Sequence, residues 1–310
     1  MQFPRESLET LAVVAEAGTF DAAATRLRVT PSAVSQRIKA LEQQLGRVLA
    51  VRSKPVRMTE SGEALVRLAR QLSLLEHDAA AALRLEGDVD PSGHRPVVTI
   101  PIAVNADSLA AWIMPALARA AAEHDLVVDV HREDQERTAG LLAAGTVMAA
   151  VTSRSRPIPG CTVAALGAMS YRPVAAPAFA ARWLPDGPTA EALAVAPVVD
   201  FDRTDDLQSR YLRAAAPHSL APPRHYIPAS AEFAQAVLLG LGWGMLPSTE
   251  ADAEVARGDL VDLDPGGAIA VPLYWQQWNL RSPALDAVAE AVANQARSAL
   301  AAMPYTVRGS

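Results

Sequence analysis

Thr19–Phe20–Asp21–Ala22–Ala23–Ala24–Thr25–Arg26–Leu27–Arg28–Val29–Thr30–Pro31–Ser32–Ala33–Val34–Ser35–Gln36–Arg37–Ile38–Lys39 decides how the front of this chain folds. Thr19 can cap a helix whose buried stripe is Phe20, Ala23, Ala24 and Leu27. Residues 28–30 form a turn. Thr30 is then an N-cap, with Pro31 in the first helical position, where its missing N–H costs nothing. The second helix runs to about Leu45. Its core face is Val34, Ile38, Leu41 and Leu45; its other face shows Ser32, Ser35, Gln36 and Lys39, and Gly46 stops it. Two short helices joined tightly, the second polar and basic on one side, describe a helix-turn-helix that can lay its second helix in the major groove of DNA.

Working outward, Leu8, Leu11, Val14 and Ala15 recur at helical spacing and predict a first helix over residues 5–17, ended by Gly18. After Gly46, two short extended runs within residues 48–58 surround a basic, Pro-containing tip, which reads as a two-stranded wing. Arg52, Lys54 and Arg57 would hold phosphate there. Base readout falls to Ser32, Ser35, Gln36 and Arg37, with Lys39 beside them, because Gln can bond an adenine edge and Arg a guanine edge in bidentate fashion. The charge distribution agrees. The chain of 310 residues carries a net charge of −6, which argues against a general nucleic-acid coat protein. Residues 20–57 nonetheless hold eight basic side chains against two acidic ones.

Thr59 is a cap for a further helix running to about Leu85, and Gly62 marks close packing. Leu65, Leu68, Leu72, Leu75, Ala79 and Ala82 repeat at steps of three and four along it, a coiled-coil-like seam that implies a partner helix and a dimer. A long helix packed on its own domain is the alternative. Residues 87–96, polar and rich in Gly and Pro, are a hinge.

Beyond the hinge the pattern becomes α/β. Strands are expected at 97–104, 126–130 and 147–151, alternating with helices, and later at 161–166, 171–175, 197–201, 224–227, 244–246 and 268–274. Such alternation indicates a mostly parallel sheet covered on both faces, long enough for two lobes with a cleft. Polar residues follow several strands: Asn105, Asp107 and Ser108 after the first, Glu133 and Asp134 after the second, Thr152 and Ser153 after the third, Asp202 after a later one. Ser230 begins another helix. Ligands in open α/β sheets sit beyond the carboxyl ends of strands. The acidic members, Asp107, Glu133, Asp134 and Asp202, suit a cationic ligand group, while Ser108 or Thr152 and Ser153 suit its carboxylate. Ordinary helix caps and solvated loops are the competing reading for each.

Other chemistry is not encoded. No His, Asp or Cys set has metal-ligand spacing, and Gly240–Leu241–Gly242–Trp243–Gly244 lacks the helix and spacing of a dinucleotide loop. The single cysteine, Cys161, excludes an internal disulfide. No nucleophile elbow surrounds Ser108 or Ser230, so no enzyme activity, metal or cofactor is expected. The polar N-terminus and the lack of a long apolar run predict neither a signal peptide nor a membrane span, and a cytoplasmic location.

Phe20–Asp21–Ala22–Ala23–Ala24, the run from Thr30 to Glu42, and Thr59–Glu60–Ser61–Gly62 resemble the signature of LysR-type transcriptional regulators. The resemblance implies a winged helix-turn-helix domain (residues 1–58), a linker and dimerisation helix (59–86), the hinge (87–96), and an α/β periplasmic-binding-protein-like effector domain with two lobes (97–303). Lobe I would be 97–167 with 272–303, and lobe II 168–271. The run from Ile102 to Ser108, Val151–Thr152, Pro159–Gly160–Cys161, the run from Gly240 to Pro247, and the run from Val271 to Gln276 are similar to the branch that senses lysine and arginine and controls an amino-acid exporter gene. Ala50 stands where the family more often has an aromatic residue, a change in packing under the wing. The expected partners are a double-stranded DNA operator or promoter, a second copy of the chain in a homodimer, a tetramer of two such dimers, and RNA polymerase; the expected effector is L-lysine or L-arginine. A replication or chromosome-associated DNA-binding protein of the same architecture is the alternative.

Overall fold

The computed structural model describes residues 3–83, 97–132, 135–216 and 219–303. The expected hinge at 87–96, and Glu133 and Asp134, lie outside the described residues.

The front of the chain is α1 (Arg5–Ala17), α2 (Phe20–Leu27), α3 (Pro31–Leu45), β1 (Ala50–Val51), β2 (Arg57–Met58) and α4 (Glu60–Leu83). The local signals act as read. Gly18 and Gly46 end their helices at φ +67° and +66°. The hydroxyl oxygens of Thr19 and Thr30 accept from the amides of Ala22 and Ala33 at 3.1 and 3.2 Å. Leu8, Leu11, Ile38, Leu41 and Leu49 close one small core, and Val14, Ala23, Ala24 and Val34 close another. Thr59 caps α4 through the Gly62 amide at 3.1 Å and donates to the Val48 carbonyl at 2.7 Å. A Cβ on Gly62 would stand 2.1 Å from the Leu49 carbonyl oxygen, so glycine alone lets α4 start this close to the wing.

The seam along α4 is corrected at its first position. Leu65 is buried with Val66 in the winged domain's own core, because α4 packs along α1. Leu72 and Leu75 are exposed, at 37 % and 41 %, and Leu83 more so. The stripe left for a partner therefore begins later on the helix than the sequence pattern suggests.

The rest of the chain builds β3 (Val98–Val104), α5 (Ala106–Ala111), α6 (Met114–Glu123), β4 (Leu126–Arg132), α7 (Gln135–Ala144), β5 (Ala149–Thr152) and β6 (Cys161–Ala175). It continues through α8 (Pro177–Trp183), α9 (Ala190–Val195), β7 (Val198–Asp200), α10 (Leu207–Ala215), β8 (Arg224–Tyr226) and α11 (Ser230–Leu238). It ends in β9 (Gly244–Pro247), α12 (Ser248–Arg257), β10 (Val261–Asp262), β11 (Ile269–Trp278) and α13 (Pro283–Ala299).

The main sheet has strand order β10-β6-β11-β5-β3-β4, with β9 also paired to β6. Only β3–β4 and β3–β5 run parallel within it; β11 is antiparallel to β5 and β6, and β6 to β9 and β10. The expectation of a mostly parallel sheet is thus corrected to a mixed one. The cause is one long antiparallel pair. The strands expected at 161–166 and 171–175 are a single strand, β6, and β11 extends to Trp278 beside it. Both expected lobe boundaries, after 167 and after 271, fall inside these strands. A register shift between Leu273 and Tyr274 leaves Leu166 as the extra residue at that crossing, a bulge that bends the pair.

A large core joins Ile100, Ile102, Leu142, Trp278 and Val288 around β3, β5 and α13. A smaller one joins Val174, Val199, Phe233, Val237 and Leu246 beneath α11. There the parallel pair β7–β8 is stapled by Arg224, 2.5 Å from the buried Asp200 carboxylate.

Candidate functional site

Two surfaces carry polar chemistry. The first is the outer face of α3 with the wing. Burial of Val34, Ile38 and Leu41 turns the opposite face out, and Ser32, Gln36 and Lys39 are exposed there with Ser35 half-buried beside them. Arg37 does not join them. Its guanidinium lies 3.0 Å from Glu6 Oε2 and donates to Thr10 Oγ1 at 3.3 Å, both on α1, so it ties α3 to the bundle. Base readout by Arg37 would require it to leave these partners.

The wing is the antiparallel pair Ala50↔Met58 and Val51↔Arg57. The Val56 amide donates to the Gly18 carbonyl at 2.8 Å and anchors the tip against the α1–α2 turn. Lys54 and Arg57 are exposed on the wing. Arg52 is exposed too, with its guanidinium carbon 5.1 Å from the Phe20 ring centroid, a cation–π contact that aims it along α2.

The second surface lies between the two lobes. Asp107, in the first turn of α5, accepts from Tyr171 Oη of β6 at 2.7 Å and from Ser230 Oγ of α11 at 3.1 Å. Glu250 of α12 lines the same small cavity, of about 30 Å³, with Phe201, Phe233 and Leu246 as apolar walls. Asp205 lies near: its carboxylate accepts from the amides of Leu207 and Phe201 at 3.0 and 3.3 Å.

The electrostatics are one-sided. Burial, reinforced by Asp107, pushes the Tyr171 phenol well above its ordinary range. Burial raises the Asp205 carboxyl despite its two amide donors, with Asp200 and Asp107 adding to the rise. Burial raises Glu250 as well, helped by Asp107 and Glu254. A site where carboxylates resist ionisation gains from a cation placed among them.

Of the residues expected at the ligand site, Asp107 and Ser230 meet directly. Asn105 Oδ1 and Ser108 Oγ are buried near the start of α5 with no hydrogen-bond partner among the described residues. Thr152 is buried, and its Oγ1 accepts from the Arg154 amide at 3.2 Å; Ser153 lies inside that turn. Asp202 has partners within its own loop. Its carboxylate organises its own loop, accepting from the amides of Thr204 and Asp205 at 2.7 and 3.0 Å and from Thr204 Oγ1 at 2.6 Å. The Thr204 hydroxyl holds it below the usual carboxylate range.

Tyr171, Asp205 and Glu250 were not singled out from sequence. Asp205 and Glu250 carry the same signal as the others, a polar residue shortly after a strand, but Tyr171 sits inside a strand and has none. Among the described residues no cluster of His, Cys, Asp and Glu could hold a metal ion, and no helix is long and apolar enough to cross a membrane.

A capped recognition helix with a wing, joined by a long helix to a two-lobed α/β body with a polar cleft, is the layout of a ligand-responsive DNA-binding regulator. Residues 6–63 match the model of the bacterial regulatory helix-turn-helix protein, lysR family, and residues 94–297 match the LysR substrate binding domain. The chain belongs to the LysR family of transcriptional regulators.

Its relatives narrow the neighbourhood. It is 45 % identical over 294 residues to the HTH-type transcriptional regulator LysG of Mycobacterium tuberculosis, covering 94 % of this chain and 93 % of that one. The crystal structure of ArgP from Mycobacterium tuberculosis is similar at a TM-score of 0.83 and 44 % identity, over 96 % of this chain and 98 % of that one. Full-length LysG from Corynebacterium glutamicum with bound effector Arg is similar at a TM-score of 0.75 and 35 % identity, over 96 % and 99 %. That corynebacterial protein bears the name lysine export transcriptional regulatory protein.

Proposed function

We propose that this regulator senses lysine or arginine and controls an amino-acid exporter gene. The observation that carries the reading is the convergence of Asp107, Asp205 and Glu250 between the lobes, on a cleft walled by Phe201 and Phe233. The names of the relatives, lysine export for one and a bound effector Arg for the same protein, support it.

In this reading the side-chain cation enters the carboxylate end, where Tyr171 and Ser230 hold Asp107 in place. The ligand carboxylate is received at the turn of Thr152 and Ser153. The unpartnered oxygens of Asn105 and Ser108 suit the α-ammonium group. Lysine and arginine share such a site because each needs a stem channel and an acidic terminus. The cavity of about 30 Å³ is smaller than an amino acid, so in this reading the cleft widens between the lobes to take the ligand.

At the other end, Ser32, Ser35, Gln36 and Lys39 read the major groove while Arg52, Lys54 and Arg57 hold phosphate. The homodimer of this reading pairs through Leu68, Leu72 and Leu75 of α4. Two dimers make a tetramer on paired half-sites, with RNA polymerase as a further contact.

Calorimetry with lysine, arginine, ornithine, leucine and glutamate tests the ligand class. Binding of lysine or arginine is the expected result; tight binding of leucine or glutamate with no response to either basic amino acid overturns it. Gel shifts on the promoter of a neighbouring exporter gene, with and without the bound amino acid, test the target.

A further inference from the structure

α4 carries two arginines about one turn apart, and both reach out of their own domain. Arg67 donates through Nη2 to the Ala143 carbonyl. Arg70 donates through Nη1 to the Gly145 carbonyl and, at 2.5 Å, to that of Thr146. These carbonyls belong to the end of α7 and the turn after it, where a helix leaves its last C=O groups without internal partners and presents the negative end of its dipole. The approach is close: a Cβ on Gly145 would stand 2.7 Å from the Cβ of Arg67. Leu74, one turn beyond Arg70, is wholly buried in the effector domain's core.

Arg70 also faces the other way. Its Nη2 lies 3.0 Å from Glu16 Oε1 on α1, and Glu16 Oε2 lies 2.9 Å from Arg26 on α2. The Arg70 side chain keeps 10 % of its exposure, against 38 % for Glu16. One guanidinium is therefore bonded at once to the effector domain's turn and to the first helix of the winged domain. A cavity of about 680 Å³ lies alongside, between α4, the wing, β3 and β4, so the joint is not packed solid around it. The turn at residues 145–147 runs directly into β5, and β5 ends at Thr152 on the cleft side.

We propose that Arg70, seconded by Arg67, is the positioning residue that registers the winged domain against the effector domain and passes lobe movement on to the DNA-binding surface. The second half of that statement rests on the reading of an amino-acid effector in the cleft. Arginine is needed for a chemical reason. Its planar fork points several donors in fixed directions and serves two carbonyls and a carboxylate together, which the single ammonium of lysine does with poorer geometry.

The experiment uses the full-length chain as Arg70→Ala, Arg70→Lys and Arg67→Ala. The amides of Gly145, Thr146 and Val147 bond to the carbonyls of Leu142 and Leu141, so their hydrogen exchange reports on the turn. Arg70→Ala is expected to speed that exchange about tenfold, and to speed exchange in the last turn of α1 as well. Calorimetric affinity for lysine and arginine should stay within about twofold of wild type, since Arg70 is remote from the cleft. The ratio of DNA affinities with and without the amino acid should fall toward one. Arg70→Lys should follow the alanine variant, and it carries the same measurements if the alanine variant does not fold.

Unchanged exchange at both segments overturns the clasp. Faster exchange with an unchanged DNA-affinity ratio makes Arg70 a local prop and overturns the coupling role. If the wild-type protein binds neither lysine nor arginine, the cleft reading fails separately and the coupling to those effectors falls with it. The exchange of the two segments then decides the registering role by itself.

Discussion

Asp107→Asn tests the centre of the proposed site. The carboxylate receives one hydrogen bond on each oxygen, from Tyr171 at 2.7 Å and from Ser230 at 3.1 Å. Asparagine keeps the shape and one oxygen. The serine hydroxyl can turn to accept from the new amide, so the cost to the fold is about 1 kcal/mol. A bound cation loses more. At about 4 Å and an effective dielectric of about 20, the charge pair is worth about 4 kcal/mol before desolvation. A charge-assisted hydrogen bond retains about 1.5–3 kcal/mol of net value, and Asp205 and Glu250 still share the load, so the expected loss of lysine affinity is about tenfold to a hundredfold. Calorimetry reads it directly. A second reading comes from the phenol. With the Asp107 charge gone, the Tyr171 ionisation, followed by its ultraviolet absorbance, should move down while staying above the ordinary range, because burial remains. Lysine affinity within about twofold of wild type, where a lost charge-assisted bond demands far more, refutes the assignment of Asp107 as a cation contact.

Three further outcomes follow from the same geometry. Lysine affinity should fall as pH drops toward the region just above ordinary carboxylate values: burial raises Asp205 and Glu250, so they take up protons there first and lose the negative charge the cation needs. In the unliganded protein the same two groups work the other way, adding stability as pH falls through their raised pKa values, because the folded state penalises their ionised forms; calorimetric titration and melting curves across pH should show opposite slopes for the two effects. Gln36→Ala should relax base preference at a cost of about 1–3 kcal/mol, whereas Arg57→Ala should weaken all sequences alike and flatten the salt dependence; gel shifts over a salt series separate the two. Replacing Leu72 and Leu75 together by Asp should separate the protomers, since both are exposed on one chain and would bury carboxylates in a pair; an unchanged sedimentation mass would move the dimer contact off α4.

The winged domain was legible because its determinants are local. Caps, stops and apolar spacing between Thr19 and Gly62 act within a turn or two of themselves, and each is found at the residue that signals it. The body was legible only in its elements. Strand β6 read as two because Gly167 and Ser170 interrupt the apolar run, and nothing local reveals that β11 pairs along its whole length. Helices α8, α9, α10 and α12 have ten residues or fewer, too few turns for their period to stand out in the sequence.

Which side chains share a site is a different kind of fact. Asp107, Tyr171, Ser230 and Glu250 come from four separate elements and meet only because the long antiparallel pair brings both lobes to one cleft. The same reason explains partners that no local pattern announces. Helical spacing puts Arg37 at the margin of the DNA face, and only the packing of α1 gives it Glu6. Strand-end position suits Asp202 for ligand as well as for loop, and only the folded backbone gives it the Thr204 amide. The sequence by itself determined the DNA-binding module and the family, because these rest on short-range patterns. The tertiary structure alone decided which carboxylates face one another and where Arg70 reaches, because contacts between distant segments depend on chain topology that no local pattern encodes.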